Sequence, residues 1–137
     1  MTVDKDAVAA RLAAKMDAIV AARRAARIAD AEREMRLRGQ FADFWETVEL
    51  LNQHGLESLN GRLQFKGESW DPAEGVIAGS LDLQGPGGAH QLAYRVQGDT
   101  LQIDWPDKGA ADYTAATLRE AIDQLTDIAA EAFARPE

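Results

Sequence analysis

The amino-acid sequence predicts an α+β fold, and three observations carry this prediction. The N-terminal segment has no Gly or Pro over 35 residues, the middle of the chain places apolar residues at every second position, and the last segment returns to helical spacing. We expect a long N-terminal helix, a second amphipathic helix, a four-stranded antiparallel meander sheet and a C-terminal helix packed on the sheet. The chain divides into a basic, Ala/Arg-rich helical arm, residues 1–38, and an acidic α+β domain, residues 39–137.

The first helix follows from composition, because twelve of the residues from Asp4 to Arg38 are Ala and most others also favour helix. Its first five turns carry an apolar stripe at helical spacing. The stripe consists of Val8, Leu12, Met16, Ile19 and Val20. Beyond Val20 the same face becomes charged, with Arg23 and Arg27 first. A helix of this length spans roughly 50 Å, so we expect part of it to project or to lie against another subunit.

Ion pairs between side chains of this helix are expected to stabilise it even without packing against other elements. Glu32–Arg36 and Glu34–Arg38 are i, i+4 pairs in the favourable order, each worth about 0.2–0.5 kcal/mol.

The second helix is predicted after a break at Gly39, because aromatic and aliphatic residues recur at helical spacing in FADFWETVELL. Gly55 is suited to the left-handed position that ends many helices, so we expect the helix to end near His54.

Four strands are predicted where apolar and polar residues alternate and short turns separate the runs. The apolar positions of the four runs are Leu63 and Phe65; Ile77, Leu81 and Leu83; Leu92, Tyr94 and Val96; and Leu101, Ile103 and Trp105. The Gly98-Asp99 pair is typical of a two-residue hairpin turn. The apolar stripe of the segment 114–134 then predicts a helix that covers the apolar face of the sheet.

Composition limits the possible functions. No apolar run approaches the ~18–20 residues of a membrane span, and we expect no membrane association. The absence of Cys excludes disulfides, thiolate metal sites and thiol nucleophiles. The N-terminal segment has no apolar signal sequence and contains acidic residues that transit peptides avoid, which predicts a cytoplasmic location.

The net charge of −8 is unevenly distributed. Residues 1–38 contain nine Lys or Arg and six Asp or Glu, for a net charge of +3. Residues 39–137 contain six Lys or Arg and seventeen Asp or Glu, for a net charge of −11. Such a charge asymmetry indicates which partners the protein can attract and says little about its fold.

Motifs for chemistry are weak. His54 and His90 have no partner at a metal-ligand spacing, and the GPGG segment lacks the Lys and the helix of a phosphate-binding loop. Asp104 and Asp107 flank Trp105-Pro106, but nothing in the sequence indicates the dry pocket that a general acid needs. We therefore expect no catalytic residues, no metal site and no cofactor.

The three tryptophans differ in context. Trp45 and Trp105 fall on apolar faces and are predicted to lie in the core. Trp70 falls in GESWDP, which reads as a turn, and a large aromatic residue there is a candidate for a contact surface.

These observations favour a non-catalytic protein–protein interaction module, of the adaptor, chaperone-like or regulatory kind, that forms a homodimer through its arm. A basic arm complements the acidic body of a second copy, and the apolar stripe needs a surface to cover it. Another protein is an alternative partner. The predicted interaction residues are Val8, Leu12, Met16, Ile19, Arg23, Arg24, Arg27, Arg33, Arg36, Arg38 and Trp70.

Two other functions stay open. The order of long helix, antiparallel strands and C-terminal helix resembles that of YbaB-type nucleoid-associated proteins, which implies nucleic-acid binding through the arginines, although acidic residues at 30, 32 and 34 interrupt the basic run. A small-molecule-binding protein or enzyme would need a pocket between sheet and helices, lined by Tyr94, Trp105 and a buried acid.

Overall fold

The computed structural model describes residues 2–135. Its elements are α1 (Lys5–Gln40), α2 (Ala42–Glu57), β1 (Arg62–Asp71), β2 (Val76–Gly85), β3 (Gly88–Gln97), β4 (Thr100–Trp105), β5 (Gly109–Tyr113) and α3 (Leu118–Phe133). The predicted α+β class is confirmed, with helices and an antiparallel sheet. Among the described residues, 2–33 form one compact unit and 34–135 form a second.

Helix α1 begins after Asp4, whose side chain caps it. The Asp4 carboxylate accepts hydrogen bonds from the backbone N–H groups of Asp6, at 3.1 Å, and Ala7, at 3.2 Å. These are among the N-terminal donors that have no partner within a helix. No residue of α1 is buried, so Ala-rich composition, rather than packing, accounts for its helical conformation.

The sheet has five strands in the order β1-β2-β3-β4-β5, with neighbours antiparallel, and the predicted count of four is therefore wrong. The missed strand is β5, which pairs with β4 from Trp105↔Gly109 to Leu101↔Tyr113. Its sequence, GAADY, has small residues where a strand usually places large apolar ones, so the period of two is not visible. The predicted turns after β1, β2 and β3 are all confirmed.

One face of the sheet forms the core, as the alternation predicted. Its buried side chains are Leu63, Ile77, Leu81, Leu83, Leu92, Tyr94, Val96, Leu101, Ile103 and Trp105. Phe44 and Val48 of α2 and Leu125 and Ala129 of α3 belong to the same buried cluster. Residues of the opposite face, such as Arg95, are exposed.

Helix α2 does not end at Gly55. It continues to Glu57, and Ser58 then closes it through hydrogen bonds from both its N–H and its hydroxyl to the carbonyl of His54. Gly55 is buried inside the helix, where a Cβ would lie 2.7 Å from the Gly61 carbonyl oxygen and 2.8 Å from the Phe133 ring. Glycine is therefore needed here for close packing rather than for a left-handed backbone.

Candidate functional site

The predicted apolar stripe of α1 lies at the surface. Val8, Leu12, Met16 and Ile19 have exposed fractions of 56%, 59%, 56% and 49%. Val20, on the same face, is 51% exposed. The stripe therefore presents a continuous apolar strip over about four turns of the helix.

The predicted arginines of α1 fall into two groups. Arg23, Arg24, Arg27, Arg33 and Arg36 are exposed, and Arg33 forms an ion pair with Asp30 at 3.5 Å. The sixth arginine, Arg38, is partly buried and contacts the sheet.

Arg38 forms two ion pairs. One joins it to Glu34 at 3.6 Å, as the helical spacing predicted, and the other joins it to Glu68 on β1 at 3.2 Å. No ion pair between Glu32 and Arg36 forms within the described part of the chain.

Glu68 owes its position to a β-bulge. Lys66 pairs with Ser80 and Ser69 pairs with Ala78, so β1 has one more residue than β2 between these pairs. Gly67 adopts φ +66° at this point, a left-handed conformation that glycine accommodates without a steric cost. The extra residue reverses the alternation of the strand, and Glu68 then faces the helices and core instead of solvent.

The Glu68 carboxylate accepts four hydrogen bonds from three side chains. Both terminal nitrogens of Arg38 donate to it, at 3.3 and 3.2 Å, in a fork-like arrangement. Trp45 Nε1 and the Tyr94 hydroxyl both donate to Oε1 at 2.9 Å. We call Arg38, Trp45, Glu68 and Tyr94 the Glu68 cluster.

Aromatic contacts enclose the Glu68 cluster. The guanidinium carbon of Arg38 lies 5.2 Å from the centre of the Trp45 ring, within the range of a cation–π contact. Phe44 packs edge-on against both Trp45 and Tyr94, with ring centres 5.3 and 5.4 Å apart. The ion pair between Arg38 and Glu68 is thus shielded on one side by rings and remains partly open to water.

The electrostatics of the Glu68 cluster favour its charged form. Burial alone would raise the pKa of Glu68, but hydrogen bonds from Arg38, Tyr94 and Trp45 outweigh burial and hold that pKa below its usual range. For Arg38, burial acts to lower the pKa, and the contacts with Glu68 and Glu34 raise it overall. Burial and the bond to Glu68 raise the pKa of Tyr94 far above its ordinary value. The carboxylate is therefore ionised and fully engaged, which suits a structural junction rather than proton transfer.

Sequence reasoning missed this cluster, although one signal was present. A glycine inside a strand pattern often marks a bulge, and Gly67 interrupts the alternation just before Glu68. The partners of Glu68 lie 23 to 30 residues away in the sequence, and no periodicity links them.

Trp70 lies in β1 and not in the predicted turn. It pairs with Ile77 on the core face and is partly buried against the core. The bulge explains the difference, because the extra residue brings Trp70 to the same face as Phe65. Trp105, predicted to lie in the core, is 2% exposed and donates a hydrogen bond of 2.8 Å to the Tyr113 hydroxyl.

Cavities that open on the surface of the unit that begins at Glu34 include the following three. A cavity of about 500 Å³ lies at the end of α2, beside Leu56, Leu59 and Pro86. A second of about 390 Å³ adjoins Trp45 and Glu49, and a third of about 330 Å³ is lined by residues of both α2 and α3. Tyr94 and Trp105 line none of these three.

Within residues 2–135 no group of three or more His, Asp or Glu is placed to hold a metal ion. No helix in the same range has the length and apolarity to cross a membrane.

Comparison with known proteins gives no assignment. No family model matches the chain, and neither a curated protein nor a solved structure is significantly similar to it.

Proposed function

We propose that this protein is a non-catalytic interaction module, acting as an adaptor, a chaperone-like protein or a regulator, and that it self-associates through its N-terminal helix. One observation carries the proposal: α1 has five large apolar side chains on one face and buries none of them. A contiguous exposed apolar strip on a polar protein is typical of an interaction surface.

The stripe offers enough apolar surface to support association. Full burial of an aliphatic side chain contributes about 1.5–3 kcal/mol, and these side chains are already about half covered, so the five contribute roughly 4–7 kcal/mol per copy. Association costs about 4–15 kcal/mol in lost translational and rotational freedom. A two-fold homodimer buries the stripe of both copies and so doubles the gain for one association event.

Charge supports a second copy as the partner. The net charge of +3 on residues 1–38 and −11 on residues 39–137 makes the arm of one copy attractive to the body of another. Exposed pairs of this kind are screened beyond about 10 Å at ~0.1 M salt. We therefore expect a dimer whose dissociation constant rises with salt.

The test is the molar mass in solution, measured by size-exclusion chromatography with light scattering at about 50 and about 500 mM salt. The wild-type chain should be a dimer at low salt. The double substitution Leu12→Glu with Met16→Glu should make it a monomer, because four charges would enter the dimer contact.

The matched control is Ala18→Glu with Ala25→Glu, which adds the same charge to exposed positions on the opposite face of α1. This variant should remain a dimer. A wild-type monomer at both salts, or a dimer that tolerates the stripe substitutions, would contradict the proposal.

Nucleic-acid binding is the second candidate, and one observation favours it. Arg23, Arg24 and Arg27 are exposed, and none of them belongs to an ion pair among the described residues. Against this candidate, the net charge of −11 on residues 39–137 repels a phosphate backbone. Binding to duplex DNA that weakens steeply with salt, from a wild-type monomer, would favour this candidate over self-association.

A further inference from the structure

We propose that the outer face of α2 is the docking surface for α1 of a second copy, with the two helices antiparallel. This inference rests on the proposed self-association and specifies where it occurs. The outer face of α2 includes the exposed residues Asp43, Glu46, Glu49, Leu50, Leu56 and Glu57, together with Ala42, Gln53 and His54.

The outer face of α2 is acidic without internal compensation. The helix contains four carboxylates and neither Lys nor Arg. None of the ion pairs within residues 2–135 involves these carboxylates. Glu57 accepts a hydrogen bond from Gln53, but none of the four carboxylates is paired with a cation in this range, whereas Glu68 is already occupied by Arg38.

The same face also exposes two leucines. Leu50 is 66% and Leu56 50% exposed, although both belong to a helix whose other side is packed in the core. Apolar residues that remain exposed on such a helix suit a second, intermolecular contact. The face therefore combines apolar and acidic residues, and α1 combines apolar and basic ones.

The order of these features sets the direction of docking. Along α1 the apolar stripe comes first and the arginines follow, with Arg23 and Arg27 continuing the face of the stripe. Along α2 the acidic residues Glu46 and Glu49 come first, and Leu56 lies near the C-terminal end. An antiparallel arrangement places the arginines beside Glu46 and Glu49 and the apolar stripe beside Leu56, with Glu57 as the single carboxylate at that end. A parallel arrangement places the stripe beside Glu46 and Glu49.

The spacing agrees with this direction. Met16 and Arg27 are eleven residues apart, or about 16 Å along a helix, and Leu56 and Glu46 are ten residues apart, or about 15 Å. Placing Met16 at the level of Leu56 therefore brings Arg27 to the level of Glu46 along the helix axis. In a parallel arrangement the stripe would cover the carboxylates without offering them a hydrogen-bond partner, which is unfavourable.

A crosslinking experiment tests the arrangement directly, because the chain has no native Cys. A copy with Arg27→Cys is mixed with a copy carrying Glu46→Cys under mild oxidation. We expect a disulfide-linked heterodimer, since antiparallel docking brings these positions together.

Two control pairs use the same Arg27→Cys copy. Arg27→Cys would lie near Leu56→Cys if the helices were parallel. Asp104→Cys, on the exposed face of the sheet, reports random collisions. Both should crosslink at least about tenfold more slowly. Equal rates for all three pairs, or fastest crosslinking to Leu56→Cys, would overturn the antiparallel docking.

Charge reversal provides a second readout. Glu46→Arg with Glu49→Arg should raise the dissociation constant of the dimer about tenfold, because two attractive contacts become repulsive. Adding Arg23→Glu and Arg27→Glu to the same chain should restore the wild-type value. Failure of this restoration would count against the proposed pairing.

The outcomes separate the two proposals. A wild-type monomer at both salts overturns self-association itself. A wild-type dimer that is lost with Leu12→Glu and Met16→Glu but unaffected by Glu46→Arg and Glu49→Arg retains self-association through α1 and overturns docking on α2.

Discussion

The hydroxyl of Tyr94 reaches across Gly79 and donates a 2.9 Å hydrogen bond to Glu68, which connects strand β3 to strand β1 over the intervening strand β2. Gly79 pairs directly with Tyr94, and a Cβ on it would lie 2.7 Å from the Tyr94 hydroxyl and 2.9 Å from the Glu68 Cα. The missing side chain of Gly79 therefore makes the space in which the Glu68 cluster forms.

Replacing Gly79 by Ala should destabilise the protein. One of the two close contacts is with backbone, which cannot swing away, so we expect a loss of about 1–3 kcal/mol in the free energy of unfolding. Urea denaturation, monitored by circular dichroism, measures this free energy. Ser80→Ala, at the next residue and on the opposite face of the sheet, is the control and should change the value by less than about 0.5 kcal/mol. Equal effects of the two substitutions would contradict this account of Gly79.

Replacing Glu68 by Gln should cost about 1–3 kcal/mol at pH 7, because charge-assisted hydrogen bonds are lost and Arg38 loses a counter-charge. The pKa of Glu68 is lowered in the folded protein, so its contribution is present above the unfolded pKa of about 4.3 and disappears as the pH falls through the folded pKa. The stability difference between wild type and Glu68→Gln should therefore be full above about pH 5 and shrink below about pH 4.

The control for this substitution is Glu74→Gln, in the exposed turn between β1 and β2. Denaturation curves at several pH values should give it nearly wild-type stability at pH 7. A stability gap for Glu68→Gln that stays constant down to pH 3 would show that the charge of Glu68 is not the cause.

Tyr94 should make the protein less stable in alkaline solution. Burial and the bond to Glu68 raise its pKa, so Tyr94 stays protonated in the folded state, while the unfolded state loses this proton above about pH 10. The unfolded state then binds fewer protons, and stability falls as the pH rises. Tyr94→Phe should lower stability by about 1 kcal/mol at neutral pH and show a shallower decline between pH 9 and 11. Identical alkaline slopes for the two proteins would argue against this role.

Replacing Leu59 by Gly should stabilise the folded protein. It follows α2, has φ +58° and is 88% exposed, so it tolerates an unfavourable backbone conformation without a compensating buried contact. We expect Leu59→Gly to raise the free energy of unfolding by about 0.5–1 kcal/mol. Leu59→Ala removes the same side chain but keeps the backbone cost, and it should show no gain. Thermal denaturation of both variants distinguishes them, and equal stability would refute the backbone explanation.

Helix propensity and hydrophobic periodicity predicted the elements that contain many strong helix formers or large apolar residues at regular spacing. The Ala-rich arm, the four alternating runs and the apolar stripe of the last helix all correspond to elements of the structure. The start of α3 at Leu118 rather than 114 and the end of α2 at Glu57 differ by a few residues. Strand β5 was missed because Ala110 and Ala111 carry too little apolar surface to produce a recognisable alternation.

The Glu68 cluster could not be predicted for a different reason. A bulge shifts the alternation by one residue, so the pattern set by Leu63 and Phe65 does not continue through Gly67, and the segment with Glu68 and Trp70 was read as a turn. Gly55 was misread because the sequence does not distinguish a glycine needed for a left-handed backbone from one needed for a close contact with Phe133.

The bulge in β1 has a second consequence, which concerns aggregation. Strands β1 and β5 are the two edges of the sheet, and an edge strand exposes unpaired N–H and C=O groups onto which a strand of another molecule can add. Strand β5 offers only five residues, whereas β1 offers ten. The bulge at Gly67 interrupts and twists the longer edge near its middle. One inserted residue therefore both orients Glu68 and limits uncontrolled strand addition at the more vulnerable edge.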